Sequence, residues 1–362
     1  MKRENHIFDE LFVLELANNH WGSVERGLKI IADFSRVVRF NNVRAAIKLQ
    51  LRDVERFIHQ DFRSREDIRY IKKTLQTKLE SEDYAVLAQA VKQGGCLTMA
   101  TPFDEASVEL CGRLNLDLIK IASSDLNDWI LIEKIALLRK PVIVSTGGSS
   151  LKDVDDLVKF FDNRQIPLAI NHCVSLYPTE KDELELNQID FLRERYPGHV
   201  IGFSTHERNA DLAAAIMIAY AKGARTFERH IDLAEGEHAM TPYCSTPAQT
   251  DAWIKGCLKA KAMCGGSGDI KRTPPKREVE YLDALVRGVY AARDLKAGDT
   301  LSDDKVYLAI PLQKGQLSCR ELMRGEVLLH DVPQDAPIRI DDVDCPYAFD
   351  EGLKQLIYAR GL

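Results

Sequence analysis

Short apolar runs recur along the first three-quarters of the chain, separated by segments with a different rhythm. FVLELA (12–17), AAIKLQ (45–50), CLTMATP (96–102), LIKIAS (118–123), PVIVST (141–146), LAINHC (168–173), VIGFSTH (200–206) and TFERHID (226–232) read as strands. Between most of them, segments such as DEASVELCGRL, DVDDLVKFF and ADLAAAIMIAYA place apolar residues at i, i+3 and i+4, which predicts helices with one buried face. Roughly eight strand–helix units in about 250 residues predict a parallel (β/α)8 barrel, a TIM barrel. The alternative on the same pattern is an open, doubly wound sheet, which commonly has fewer strands.

The rhythm changes after residue 265. Residues 266–283 (GSGDIKRTPPKREVEYLD) are charged and rich in Gly and Pro, and read as a linker. From 284 to 345 short β-like runs alternate with turn signals such as KAGD, predicting a separate small β-rich domain. Residues 346–362 close the chain with a short amphipathic helix of no assigned use. The barrel takes residues 1–265.

Composition narrows the class. The chain has 362 residues, 45% of them hydrophobic, without the run of about eighteen apolar residues that a membrane span requires. MKRENHIFDELF has basic residues but no apolar core, so no secretory signal is expected. Eight cysteines are scattered without C-x-x-C pairs, which suits a reducing cytoplasm. A net charge of −6 argues against nucleic acid as a partner. It does not exclude an anionic substrate held by a local cluster of lysines.

The polar residues are distributed unevenly within the strands. Each strand begins apolar and turns polar at or just past its end: Glu15 with Asn18, Lys48 with Gln50, Thr101, Lys120 with Ser123, Ser145, His172, Ser204 with His206, and Glu228 with His230. In a barrel these ends converge on one face, where active sites are built. His206 and His230 close neighbouring strands and could share a divalent cation in an open site; the alternative is a pair of hydrogen-bonded structural histidines. His172 and His20 are further candidates that spacing does not separate. Lys48 and Lys120, inside apolar strands, suggest a cradle for phosphate and carboxylate with the nearby hydroxyls. The alternative there is that each lysine pairs with a structural Glu15 or Glu228. STGG (145–148) is a weak phosphate-loop candidate whose glycines suit a turn. Arg44, Arg52 and Arg56 are expected on a solvated surface. Within FERH, Arg229 is expected to pair outward, leaving Glu228 and His230 at the polar mouth.

Taken in order, ELANNHWG (15–22), IKLQ (47–50), ATPFDEASV (100–108), KIASSD (120–125), VSTGG (144–148), HCVSLYPT (172–179), GFSTHE (202–207) and FERHI (227–231) resemble the sialic acid synthases. VYAARDLKAGDTL and AIPLQKGQL are similar to the antifreeze-like (SAF) domain those synthases carry, and the likeness spans about residues 10–345. It implies a metal-dependent enzyme that condenses phosphoenolpyruvate with the open-chain aldehyde of an N-acylated hexosamine. Carried over position by position, Lys48, Thr101, Lys120, Ser123, Ser145 and Ser204 would hold phosphoenolpyruvate, with Glu15, Lys48 and Lys120 as the catalytic groups. His206 and His230 would bind Mn²⁺, with Mg²⁺ or Co²⁺ as alternatives. Gln50, Asp125, Tyr177 and Gln313 fall on the acceptor side. The family's domain-swapped homodimer is also implied.

Departures from the family pattern gather on that acceptor side. Asp125 stands for a Glu, Thr205 for an Asp, Ser175 for an Asn, Gly148 for a Met, and Gln313 for an Arg. EGEHAMTPYCST (235–246) is short and lacks the family's Asp. An acceptor other than N-acetylmannosamine is therefore expected. The rival readings are a related phosphoenolpyruvate-dependent synthase for a different aldose, or a sugar-binding barrel without turnover.

Overall fold

The computed structural model describes residues 7–362 apart from Glu237 and Ser267. The first six residues of the 1–265 region, Glu237 of the 235–246 loop and Ser267 of the linker lie outside the described residues. The chain forms two compact units that divide between Gly265 and Gly266.

In the first unit, eight parallel strands close on themselves: β1 Leu11–Ala17, β2 Ala45–Leu51, β3 Leu97–Pro102, β4 Leu118–Ile121, β5 Val142–Ser145, β6 Leu168–Cys173, β7 Val200–Thr205 and β8 Thr226–His230. Phe12 pairs with Ala45 of β2 on one side and with Phe227 of β8 on the other, so no edge remains and the open-sheet alternative falls. Helices cover the outside, and most begin at a polar cap. Asp104, Asp128 and Ser150 each accept a backbone N–H from the first turn of the helix that follows.

Strand alternation divides the side chains between two cores. Phe12, Leu14, Ile47, Leu49, Ile119, Val142, Val144, Ile170 and Phe203 face the helices. Leu11, Val13, Ala46, Met99, Leu118, Ile143 and Ala169 fill the barrel, closed beneath by Phe8. One step further along nearly every strand, the next inward residue is polar. That step is where the site begins.

The second unit is a separate core. Its antiparallel pairs are β9 Gly288–Ala291 with β10 Val306–Ala309, and β11 Val327–Leu328 with β12 Val343–Asp344. Val289, Leu295, Leu301, Leu317, Leu328, Ile338 and Ile340 pack together inside it. Two features correct the reading of this region as linker, domain and tail. Lys276–Asp283 is a helix rather than loop, though it buries none of its residues. The terminal helix Glu351–Tyr358 is part of the core, through Ile357 and, just before it, Ala348. Among the described residues no helix is long and apolar enough to cross a membrane.

Candidate active site at the barrel mouth

Glu15, Lys48, Thr101, Lys120, Ser145, Ser204 and Glu228 each stand two residues beyond the inward-facing position of the layer below, at the C-terminal end of their strands. All are buried. The Lys48 ammonium pairs with Glu15 and lies 3.0 Å from Glu228 Oε1, and it donates to Thr101 Oγ1 at 3.2 Å. Lys120 donates to Ser145 Oγ at 2.6 Å and sits 3.8 Å from Glu228 Oε2. Both lysines therefore have carboxylate partners, as the structural alternative required, and both also touch hydroxyls, as an anion cradle requires.

The four charges are tuned apart. Burial raises the Glu15 carboxyl above its ordinary value, against the pull of Lys48. Burial acts on Glu228 in the same sense, but Lys120 and Lys48 outweigh it and hold that carboxyl low. Lys48 is raised because Glu15 and Glu228 overcome its desolvation. Lys120 is lowered, burial prevailing over Glu228.

Above this floor stand two imidazoles. The rings of His206 and His230 lie 5.3 Å apart, near enough for one cation to touch both. His206 Nδ1 is 3.0 Å from the Val174 carbonyl oxygen. A carbonyl only accepts, so Nδ1 carries the hydrogen and Nε2 presents a lone pair. Burial pushes His206 down to about 4 and His230 well below its ordinary value, so both stay neutral and able to ligate at neutral pH. Among the described residues no group of three or more His, Cys, Asp and Glu side chains converges on one point. A cation would thus take two imidazoles from the protein and its remaining ligands from water and substrate, which fits a site open to substrate.

Strand parity removes His172, and His20 lies outside the strands. His172 points out of the barrel, donates through Nε2 to the Leu184 carbonyl at 2.8 Å and stacks on Phe203. His20 is buried in the turn after β1, where its Nδ1 accepts the Gly22 N–H at 3.1 Å. Arg229, between two inward residues, also points out and donates to Glu207 Oε1 at 2.8 Å, Ser245 Oγ at 2.6 Å and Asn209 Oδ1 at 3.0 Å.

The remaining candidates line the rim. Gln50 donates to Glu15 Oε1 at 3.0 Å. Tyr177 lays its ring 4.1 Å from that of His206. Asp125, in the turn after β4, is raised by burial, and its Oδ2 lacks a hydrogen-bond partner. Ser123 Oγ accepts the Gly147 N–H at 3.0 Å. A Cβ on Gly147 would collide with Ser175 Oγ and crowd Ser123, so this glycine of STGG is required for close approach. Gln313 belongs to the second unit, where its N–H donates to Gln316 Oε1 at 2.8 Å.

Three residues had escaped the sequence reading. Cys173, not His172, is the inward residue at the end of β6, as counting by two from Ala169 shows. Tyr243 closes on His230 at 5.3 Å and on Tyr177 at 5.4 Å, from a loop without periodic signal. Arg52 is not on a solvated surface, unlike the exposed Arg44 and Arg56. It stacks on Phe103 at 3.7 Å and donates to Gln50 Oε1 at 3.1 Å.

Comparison with known proteins agrees with this fold. Residues 41–267 match the NeuB family and residues 286–344 the SAF domain. A solved structure from Chromobacterium violaceum, described as spore coat polysaccharide biosynthesis protein E, is 37% identical with a TM-score of 0.86, covering 93% of this chain and 100% of that one. The N,N'-diacetyllegionaminic acid synthase of Campylobacter jejuni is 24% identical, over 91% of this chain and 98% of its own. A pseudaminic acid synthase of the same species is 28% identical, over 81% and 85%. With well over half of its length matched and the barrel and second domain both in place, the chain belongs to the NeuB family.

Proposed function

We propose that this protein is a synthase that condenses phosphoenolpyruvate with an open-chain aldose, an N-acylated hexosamine or a variant of it, to give a nonulosonic acid and phosphate. The observation that carries this reading is the two-layer mouth, with paired lysines and hydroxyls below and two neutral imidazoles above. With both glutamates ionised the floor is neutral. The raised carboxyl of Glu15 favours its protonated form, and the floor then carries one net positive charge and accepts an anion. Phosphoenolpyruvate would lie against Lys48, Lys120, Thr101, Ser123, Ser145 and Ser204. Gln50, Asp125 and Tyr177 would orient the aldose, with Tyr243 beside them.

In the condensation, carbon 3 of phosphoenolpyruvate bonds to the aldehyde carbon as the carbonyl pair moves to its oxygen, which takes the proton of Glu15. Water adds at carbon 2 and loses a proton to the Glu15 carboxylate that the first step leaves, whose contacts with Lys48 and Gln50 fix its position. The tetrahedral centre then reforms a carbonyl as its bond to phosphate oxygen breaks. Mn²⁺, held by His206 and His230, would supply a Lewis acid beside the aldehyde oxygen. The protein contributes orientation and preset charge.

Relatives named for legionaminic and pseudaminic acids differ in the acid they make, so the acceptor varies within the family. The departures at Asp125, Ser175, 235–246 and Gln313 support an acceptor other than N-acetylmannosamine. A homodimer in which each SAF unit serves the partner's barrel belongs to the same reading. The decisive experiment follows phosphate release and product mass with phosphoenolpyruvate, Mn²⁺ and a panel of aldoses. Turnover should stop in excess chelator, and His206→Ala or His230→Ala should lose both Mn²⁺ binding and turnover while keeping the fold. Full turnover without metal, or no product with any aldose, would defeat the proposal.

A further inference from the structure

Nearly every buried or half-buried cation around the barrel mouth has a carboxylate partner. Lys48 and Lys120 engage Glu15 and Glu228, Arg229 engages Glu207, and Arg26 meets Asp232 Oδ1 at 2.7 Å. Arg52 and Lys73 are the exceptions among the described residues. Arg52 follows β2, flat on the Phe103 ring, with one N–H on Gln50 and through it a link to Glu15. Lys73 projects from the helix Arg69–Gln76, its ammonium 5.7 Å from the ring of Trp21. Its neighbour Thr74 lines one small cavity with Asn18, Gln50 and Arg52, and its charge acts on His230 and on Asp232 just beyond β8. Arg69, one turn before it, adds a third, exposed cation on the same face of that helix.

Burial lowers both Arg52 and Lys73, and neither is compensated by an ion pair. The carboxylates that act on Arg52 are Asp125, Glu15 and Asp104, none of them as an ion pair, and Asp125 is itself raised by burial and makes no hydrogen bond through Oδ2. Desolvated cations without an ion-pair partner are costly, and two of them beside one open site are placed to take an anion. On the synthase reading on which this inference rests, phosphoenolpyruvate takes the floor of Lys48 and Lys120, and Arg52 adjoins Gln50 on the acceptor side. We propose that Arg52 and Lys73 bind a negatively charged substituent, a phosphate ester or a carboxylate, on the aldose acceptor.

The test uses the Mn²⁺-loaded full chain with saturating phosphoenolpyruvate and three matched acceptors: a neutral hexosamine, its phosphate ester and its uronic acid. A charged acceptor should exceed the neutral one in kcat/KM by roughly tenfold or more, the scale of one charge-assisted contact. Which of the two charged sugars leads identifies the group. Lys73→Met and Arg52→Gln should each cut that preference by about tenfold, through KM for the aldose and not for phosphoenolpyruvate. Should the variants fold poorly, the wild type suffices: KM for the charged acceptor should rise with added salt while that for the neutral one stays level. Equal kcat/KM for charged and neutral acceptors, or variants that raise KM for phosphoenolpyruvate instead, would overturn the inference. If no aldose turns over, the synthase reading fails separately. Calorimetric binding of the same sugars then decides this one, tighter binding of a charged sugar upholding it and equal binding ending it.

Discussion

Glu228, Arg229 and His230 are adjacent in one strand, yet they serve three environments. Alternation sends Glu228 and His230 into the mouth and Arg229 out among Glu207, Asn209 and Ser245. Arg229 and Glu207 are both fully buried, and each neighbours one of the two imidazole-bearing residues in sequence. Burial raises the Glu207 carboxyl against the pull of Arg229, and its Oε2 already lacks a hydrogen bond. Removing the guanidinium alone strands that carboxylate, and breaking a buried pair typically costs about 3–5 kcal/mol. Arg229→Met should lose that much in urea denaturation and should also weaken the Mn²⁺ binding proposed for His206 and His230. Combining it with Glu207→Leu should restore much of the stability. An unchanged urea midpoint in the single variant would show that the pair contributes little.

At the scale of the element, β7 carries Ser204 and leads into His206, and its place in the barrel depends on Gly202. That residue pairs with Thr226 of β8 and with Asn171 of β6, at a level where Thr226 Oγ1 donates to Asn171 Oδ1 at 2.6 Å. A Cβ on Gly202 would collide with both side chains and meet the Thr226 carbonyl oxygen at 2.6 Å. The hydroxyl can rotate away, but the carbonyl cannot move without shifting the β7–β8 ladder. Gly202→Ala should therefore cost about 1–3 kcal/mol, the range for overpacking a filled interior, and lower turnover by displacing Ser204 and His206. Gly198→Ala, where a Cβ would meet nothing within 4 Å, is the matched control. Equal melting temperatures for the two variants would contradict the packing argument.

Across the whole molecule the two cores are independent in sequence. The barrel's packed residues end at Ala260, while those of the second unit begin at Val289 and run to Ile357. A chain ending near residue 275 should unfold cooperatively as a barrel on its own. It should lose most turnover and fall to monomer mass by light scattering, if the SAF unit serves a partner's barrel as proposed, since a mouth left open admits water. Wild-type rates in the shortened chain would give the second unit some other purpose. A shorter cut before Glu351 should instead destabilise the second unit, because Ile357 would leave its core.

What the sequence determined alone was periodic or chemically singular. Eight apolar runs with helices between them sufficed for the barrel, because strand and helix periods are local properties of the chain. Lys48, Lys120, His206 and His230 stood out because charge or imidazole at the end of an apolar strand is unusual enough to be read without neighbours. Tertiary structure decided which of these meet. It paired Lys48 with both Glu15 and Glu228, turned His172 outward and put Cys173 in its place. It also drew Arg52 and Tyr243 to the mouth from loops where no periodic signal assigns a face. The physical reason is that pairing energies depend on distance and desolvation across strands far apart in sequence, and those exist only once the barrel has closed.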